Sequence, residues 1–446
     1  MIPPAWRRGE IAVLGLARTG RAAGRWLRAQ GLDVYASDKG PGAPGVAEEL
    51  AGLGAAVQTH GHDLARIARA SAVIASPGVP PEAPPLDAAR AARVPVHSEI
   101  DLGARALPDT RLLVITGTNG KSTTTALVAH LLTSAGEPCP AVGNIGRPLT
   151  ELALGGAAPA WAAVEVSSFQ LHDSPALSPT VGVLTNLAPD HLDRYPTADA
   201  YYADKRLLFR NARPSSVWIL NGDDAAVLAL AEGAAGDRRL WRLAEPAAAW
   251  YDRRADLLVL DGDPLLPRVE LPLLGDHNVH NALAAALSAR AAGVQGPAIA
   301  DGLRSFRGLP HRLERIREVG GVVWINDSKA TNVASTAVAL RAMDRPYVAI
   351  LGGRHKGEPY TVLGPLLGER CRGIVAYGEA APIVEADLGG ATPVTIVPAF
   401  VDAVAAAGAQ TRPGDAVLLT PACSSYDQFA NYEERGATFR RIVEAM

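Results

Sequence analysis

Residues 111–136 read RLLVITGTNGKSTTTALVAHLLTSAG, and this stretch decides the fold. Leu112 to Ile115 form a short apolar run of strand character. GTNGKST, from Gly117 to Thr123, is a glycine loop, and from Thr123 onward the apolar residues return at helical spacing. A strand, a glycine loop and a helix in that order make a phosphate cradle. Successive backbone N–H groups converge on the anion, and the helix N-terminus adds a favourable dipole. Lys121 is placed to reach β- and γ-phosphates, and the Ser122 or Thr123 hydroxyl suits Mg²⁺. The loop departs from the full G-x-x-x-x-G-K-S/T pattern, because Ile115 stands at the first glycine position and Gly117 comes two residues later. A purely structural turn would leave Lys121 without a role.

Working outward, the same alternation of strand and helix recurs on both sides. Toward the N-terminus, IAVLGLA (Ile11 to Ala17), RAAGRWLRAQG, LDVYASD and SAVIASPGV read as strand, helix, strand and strand. Such alternation predicts a parallel sheet covered by helices. The turn after Ile11 to Leu14 resembles the dinucleotide fingerprint, with Gly15, Ala17 and Gly20 at the glycine positions and Asp38 near the ribose-binding place. The middle glycine lets backbone approach a pyrophosphate, and here a methyl group stands in its way. A UDP moiety suits the turn at least as well as NAD. Toward the C-terminus, WAAVEVSSF and TVGVLTNLA read as strands, DHLDRYPT as a loop, residues 221–271 as short strands and turns, and LLGDHNVHNALAAALSARAAG as a helix between glycines. VVWINDSKATN, YVAILGGRHKG, GIVAYGE and DAVLLTPACSSYDQF then give four strands, each ending in a polar loop. In open α/β sheets ligands bind at the carboxyl ends of strands, so the loops with Lys329, Lys356 and Ser425 should share one rim.

The expected architecture is α/β in three domains. Residues 1–107 form a Rossmann-like, UDP-binding domain, 108–309 a central P-loop ATPase-type domain, and 310–446 a second Rossmann-like domain for amino acid and nucleotide. A chain of 446 residues suits three domains at roughly 150 residues each. With 48% hydrophobic and 20% charged residues it has ample core, and a net charge of −3 provides no footprint for nucleic acid or anionic lipid. Three distant cysteines, Cys139, Cys371 and Cys423, make neither a disulfide framework nor a CxxC metal site. No secretory h-region and no run of 18 apolar residues is present, so a cytoplasmic enzyme or binding protein is expected, with no membrane partner.

Only five of the 43 basic residues are lysines, and four of them lie in motif-like segments: Lys121, Lys205 in YYADKRLLF, Lys329 and Lys356. A GC-rich codon bias explains the scarcity but not the clustering. Lysine is a compact point charge whose amine can lose its proton and react, whereas arginine stays charged. Phosphate binding and amine chemistry are therefore expected. Glu165 ends an apolar strand, where a carboxylate either faces solvent or is costly unless it meets a cation such as the Mg²⁺ of bound ATP. Asp190, His191 and Asp193 lie together after the next strand and could serve a second metal, though a lone loop histidine is more often structural.

These segments carry a resemblance. GTNGKST, GNIG (Gly143 to Gly146), EVSSFQL, NLAPDHLDRYP, GDHNVHNALAA, GLPHR, NDSKATN, LGGRHK and TPACSSYDQFANYEERG occur in the order and spacing of the Mur ligases, and the match runs through all three expected domains. NDSKATN and PACSSYDQF point to the member that joins D-glutamate to UDP-N-acetylmuramoyl-L-alanine in peptidoglycan precursor synthesis. The resemblance implies ATP and two Mg²⁺ ions as cofactors and a monomeric enzyme without nucleic-acid partners. It places ATP on Gly117, Thr118, Asn119, Gly120, Lys121, Ser122 and Thr123, with Asn278, Asn281, Arg312 and Asp327 around the nucleotide. Ser122 and Glu165 would hold one Mg²⁺. His191 and a carbamate on Lys205 would hold the other, since an ammonium cannot ligate a cation while a carbamate is an oxygen donor. Lys121, Lys205 and His191 are the implied catalytic residues. Arg18, Thr19, Asp38 and Ser76 align with the UDP-binding loops, although Ala17 and Arg18 depart from the family pattern, and Asn144 would lie near the sugar-peptide. Lys329, Thr331, Lys356, Ser425 and Tyr432 complete the implied substrate site, Tyr432 standing where the family has phenylalanine. His277 and His280 alone would suggest an HxxH metal pair; the resemblance favours a helix beside adenine.

The implied chemistry is an acyl phosphate, made from ATP and a carboxylate, that an incoming amine opens to an amide, within a site closed by domain movement. Folylpolyglutamate synthase shares GTNGK but has no use for a UDP-type first domain. A P-loop kinase or motor would release ADP without forming an amide, and a non-catalytic nucleotide sensor would not turn over and would not need four motif lysines.

Overall fold

The computed structural model describes residues 2–191 and 194–446. The chain packs as two compact units, Met1–Leu271 with His280–Arg304, and Pro272–Val279 with Ser305–Met446. The first unit holds two sheets and the second one.

The first sheet is wholly parallel, in the order Ala56–Gln58, Val34–Ser37, Ile11–Leu14, Ala72–Ala75, Val96–Ser98. The three central strands, IAVL, VYAS and AVIA, are buried at every position, as expected when helices cover both faces. Strand order reverses at Ile11–Leu14, so the crevice beyond its carboxyl end is the place such a sheet offers a ligand. The helix Glu99–Ala106 leaves this sheet and packs on the helix Thr150–Leu154 of the next. The Glu99 carboxylate is fully buried there and accepts from the Thr150 N–H and hydroxyl, each at 2.6 Å. Burial raises its pKa, against those hydrogen bonds.

The second sheet has nine strands, in the order Asp263–Pro267, Leu257–Leu260, Ala249–Asp252, Asp237–Arg242, Val217–Asn221, Val181–Leu184, Arg111–Thr116, Trp161–Glu165, Ala141–Gly143. It is parallel except for the hairpin that ends it at Leu257–Leu260 and Asp263–Pro267. Arg111–Thr116 is an interior strand, with Ile115 opposite Glu165 and Thr116 opposite Leu184. This register sets the glycine loop between the ends of its two neighbours.

In the second unit the antiparallel edge Glu314–Val319 precedes Val322–Asn326, Ala416–Leu419, Tyr347–Gly352, Cys371–Tyr377 and Val394–Val397, all parallel. Three neighbouring strands therefore end on one side at the loops carrying Lys329, Ser425 and Lys356. Among the described residues no helix is long and apolar enough to cross a membrane.

Candidate functional site

The loop from Gly117 to Thr123 owes its shape to two glycines in left-handed conformation. Gly117 has φ +139° and Gly120 φ +81°. A Cβ at Gly117 would strike Thr185 Oγ1, and one at Gly120 would strike Asn281 Oδ1. The loop is stitched to the neighbouring strand end: the Asn119 N–H donates to Asn186 Oδ1 (2.9 Å), Thr185 Oγ1 donates to the Asn119 carbonyl (2.6 Å) and Thr118 Oγ1 to that of Ala188 (3.1 Å). Asn281 also accepts from Thr124 Oγ1 at 3.2 Å, so it buttresses the first turn of the helix Lys121–Ser134. That helix aims its N-terminus at the loop with no acidic residue in its first turn, an arrangement suited to an anion. Ile115 is a fully buried strand residue, which accounts for the missing first glycine.

Lys121 curls back on the loop, its Nζ donating to the carbonyls of Gly117 (3.0 Å) and Thr118 (2.7 Å). Lys205, at the end of the helix Ala198–Arg206, donates to the same Gly117 carbonyl at 2.8 Å. It is 1% exposed. Burial, and next the positive charge of Lys121, depress its pKa to about 6, with Asp190 and Asp204 opposing. Its Nζ lies 4.6 Å from the Tyr201 ring centre, and the Tyr201 hydroxyl donates to Thr118 Oγ1 at 3.3 Å. The His191 ring packs edgewise on Tyr201 (6.0 Å) and Phe169 (5.3 Å), placing the half-exposed His191 in the same cluster. Asp193 lies outside the described residues.

Glu165 is 2% exposed, yet only one of its oxygens is used. Oε1 accepts from Asn144 Nδ2 at 3.0 Å; Oε2 is buried without a hydrogen-bond partner. An orphaned carboxylate oxygen there is costly unless a cation meets it, so this chemistry fits a magnesium ion. Ser122 is half-buried one residue into the helix and Thr123 is buried. No cluster of three or more His, Cys, Asp or Glu able to hold a metal occurs among the described residues. A cation held here would need donors beyond unmodified side chains of those types, such as hydroxyls, phosphates or a carbamate.

At the first sheet, Asp38 closes the glycine turn: Oδ2 accepts from the Leu16 N–H and Oδ1 from that of Gly40, both at 2.8 Å. Ser76 Oγ is buried without a partner beside Gly15. Thr19 is half-buried in the helix that follows. Arg18 is exposed and reaches the Gly146 carbonyl at 3.1 Å, joining this crevice to the loop that carries Asn144. His62, which the sequence did not single out, bonds Ser37 Oγ at 2.9 Å just below Asp38. Of the two histidines that alone would suggest an HxxH pair, both on the helix Asp276–Ala291, His280 lies in the first unit, where its Nδ1 accepts from Trp241 Nε1 at 3.1 Å. His277 belongs to the second, as does Asn278, whose side chain donates to the Leu274 carbonyl at 2.8 Å.

The second unit gathers the remaining candidates on one rim. Asp327 is buried and accepts from the Leu313 N–H (3.1 Å) and Thr420 Oγ1 (3.4 Å); burial raises its pKa to about 7 despite the charge of Arg312. Lys329 Nζ sits 5.7 Å from the centre of the Tyr432 ring. The Ala422 N–H donates to the Ala330 carbonyl at 2.9 Å, beside the half-buried Thr331, and Ala422 itself has φ +59°. The exposed Lys356 and the buried Ser425 lie on adjacent loops paired through Arg354 and Ser424. Sequence reading missed Arg435, which is fully buried and donates to Ser328 Oγ and to the carbonyls of Ser328 and Cys423. Charged residues are so seldom buried that only its place three residues after Tyr432 could have flagged it.

With this geometry in view, three family models match the chain in order. They are the MurD-like N-terminal domain of Mur ligases at residues 9–98, the Mur ligase middle domain at 115–289, and the Mur ligase glutamate ligase domain at 311–423. UDP-N-acetylmuramoylalanine–D-glutamate ligase of Anaeromyxobacter dehalogenans is 43% identical, with 99% of each chain covered. Its namesake from Salinibacter ruber is 41% identical over the whole of both chains. Among solved structures, UDP-N-acetylmuramate-alanine ligase from Thermotoga maritima superposes with a TM-score of 0.61 at 19% identity, covering 98% of this chain and 99% of that one. A pseudomurein peptide ligase from Methanothermus fervidus gives 0.58 at 20% identity, with the same coverage. At such identities the two structures speak for the fold alone.

Proposed function

The chain belongs to the Mur ligase family, and from that premise we infer that it is an ATP-dependent, ADP-forming ligase adding D-glutamate to UDP-N-acetylmuramoyl-L-alanine in peptidoglycan precursor synthesis. The observation that carries the reading is the meeting of Lys121 and Lys205 on the Gly117 carbonyl. A phosphate-binding lysine and a buried, neutral lysine share one anchor at the loop where ATP would lie.

In this reading Gly117 to Thr123 cradle the ATP phosphates, Asn281 supports the loop, and Arg312, Asp327 and Asn278 serve the nucleotide. Lys121 leaves its two carbonyls for the γ-phosphate and offsets its charge as it passes to the L-alanine carboxylate. Two magnesium ions, held by Ser122 and Glu165 and by His191 and a Lys205 carbamate, would supply further charge neutralisation. That carbamate forms when the neutral Lys205 amine attacks CO₂ and releases a proton, a step open to an amine with pKa about 6 and closed to an ordinary ammonium. The amine of D-glutamate then attacks the acyl phosphate carbon, and phosphate leaves as the amide forms. Arg18, Thr19, Asp38 and Ser76 bind the UDP portion and Asn144 the sugar-peptide. Lys329, Thr331, Lys356, Ser425 and Tyr432 take the acceptor, whose two carboxylates call for a cation and hydroxyl donors. We place domain limits near residues 107 and 309, and expect a cytoplasmic monomer.

Phosphate release from ATP with UDP-N-acetylmuramoyl-L-alanine and a panel of amino acids tests the reading. Release should require the nucleotide sugar and D-glutamate together. Equal release with neither would sink it.

A further inference from the structure

We infer that Tyr360 is a positioning residue for the acceptor amino acid, setting the spacing of the loops that carry Lys356 and Ser425. The inference rests on reading this rim as the acceptor site. Tyr360 is 1% exposed, and its hydroxyl joins two loops at once. It lies 2.9 Å from His355 Nδ1, one residue before Lys356, and 2.8 Å from Sγ of the fully buried Cys423, two residues before Ser425. A hydroxyl has one proton and accepting lone pairs, so it can donate to the imidazole and accept from the thiol, or the reverse. Both arrangements satisfy all three groups, and either one ties the segment before Lys356 to the strand end before Ser425.

Two further links converge on the same segment. Arg354 pairs with Ser424 through the backbone (2.9 Å) and accepts from the Ser424 hydroxyl at 3.2 Å. Glu358 Oε2 accepts from the Val333 N–H at 3.3 Å, two residues after Thr331. Residues 354–360 thus carry the exposed Lys356 between a link to the Ser425 loop and a link to the Thr331 loop. Of these links Tyr360 alone is a buried side-chain bridge that can be removed while its ring keeps packing. A pocket for two carboxylates discriminates by the distance between its donors, and slack in that distance costs affinity and selectivity before it costs chemistry.

The test is Tyr360→Phe in the full-length enzyme, with Lys356→Ala measured alongside. Tyr360→Phe should raise the D-glutamate KM by about three- to tenfold and narrow the preference for D-glutamate over D-aspartate by a similar factor. The kcat at saturating glutamate and the KM for ATP should stay within about twofold. Cys423→Ala should behave alike, and the double variant should be no worse than the weaker single, as expected when both remove one shared link. An unchanged glutamate KM and preference in Tyr360→Phe, beside a raised KM in Lys356→Ala, would overturn the inference alone. So would a uniform loss of kcat with selectivity intact. A Lys356→Ala enzyme with normal glutamate KM would instead remove the acceptor-site reading beneath it.

Discussion

Lys121 and Lys205 point their side-chain nitrogens at a single oxygen, the Gly117 carbonyl, from 3.0 and 2.8 Å. Two ammonium groups so close would repel. The buried one is held neutral, and Lys121 is the charge that adds most to the effect of burial. In the function proposed here, the lysine meant for phosphate would thereby poise its neighbour for reaction.

That coupling predicts a pH shift. Lys205 has its pKa lowered to about 6, so above that pH its amine is neutral and can take up CO₂. Lys121→Met removes a repelling charge, the Lys205 pKa rises, and carbamate formation should move to higher pH. Carbamate followed by carbon-13 NMR in labelled bicarbonate reads this directly. A midpoint that stays put would show that Lys121 does not act on Lys205.

Lys205→Arg should lose nearly all turnover, by roughly two orders of magnitude or more, because guanidinium stays protonated and cannot become a carbamate ligand. Lys205→Ala should be equally poor but partly restored by short carboxylic acids that enter the vacated space. Near-normal turnover in the arginine variant would end the carbamate idea.

Glu165→Gln keeps an oxygen for Asn144 but removes the charge of the orphaned Oε2. The magnesium concentration needed for half-maximal activity should rise about 10- to 100-fold. An unchanged magnesium requirement would mean that this carboxylate meets no cation.

Asp327 should make the second unit less stable as pH rises. Burial lifts its pKa from 3.8 to about 7, so the folded state binds the proton more tightly than the unfolded chain. Its contribution is therefore fullest below about pH 4 and declines as pH climbs through about 7. Asp327→Asn, which can still accept from the Leu313 N–H, should flatten that decline. Urea melts of both proteins between pH 5 and pH 8 decide it; parallel curves would contradict the assignment.

ATP and the nucleotide sugar, without an amino acid, should yield an acyl phosphate that hydroxylamine traps. Lys121→Ala should abolish trapping, whereas Lys356→Ala should leave it largely intact. A Lys356→Ala enzyme that traps nothing would show that this lysine serves the first chemical step.

The sequence by itself determined what depends on neighbours along the chain. Apolar runs flanked by glycine turns announced Ile11–Leu14, Arg111–Thr116 and Tyr347–Gly352, and the glycines before Lys121 announced the turn from strand Arg111–Thr116 into helix Lys121–Ser134. The three-residue strands Ala56–Gln58 and Val96–Ser98 escaped notice because so few residues carry no periodicity. Tertiary structure decided whatever depends on distance through space. Lys205 is 88 residues from Gly117 in sequence and 2.8 Å from it in the fold, and nothing local predicts either that contact or the burial that makes its amine neutral. The orphaned oxygen of Glu165, the burial of Arg435 and the bridge from His355 through Tyr360 to Cys423 are of the same kind. Turn geometry and side-chain periodicity are short-range properties of the chain, whereas solvation and electrostatic field at a group belong to everything packed around it.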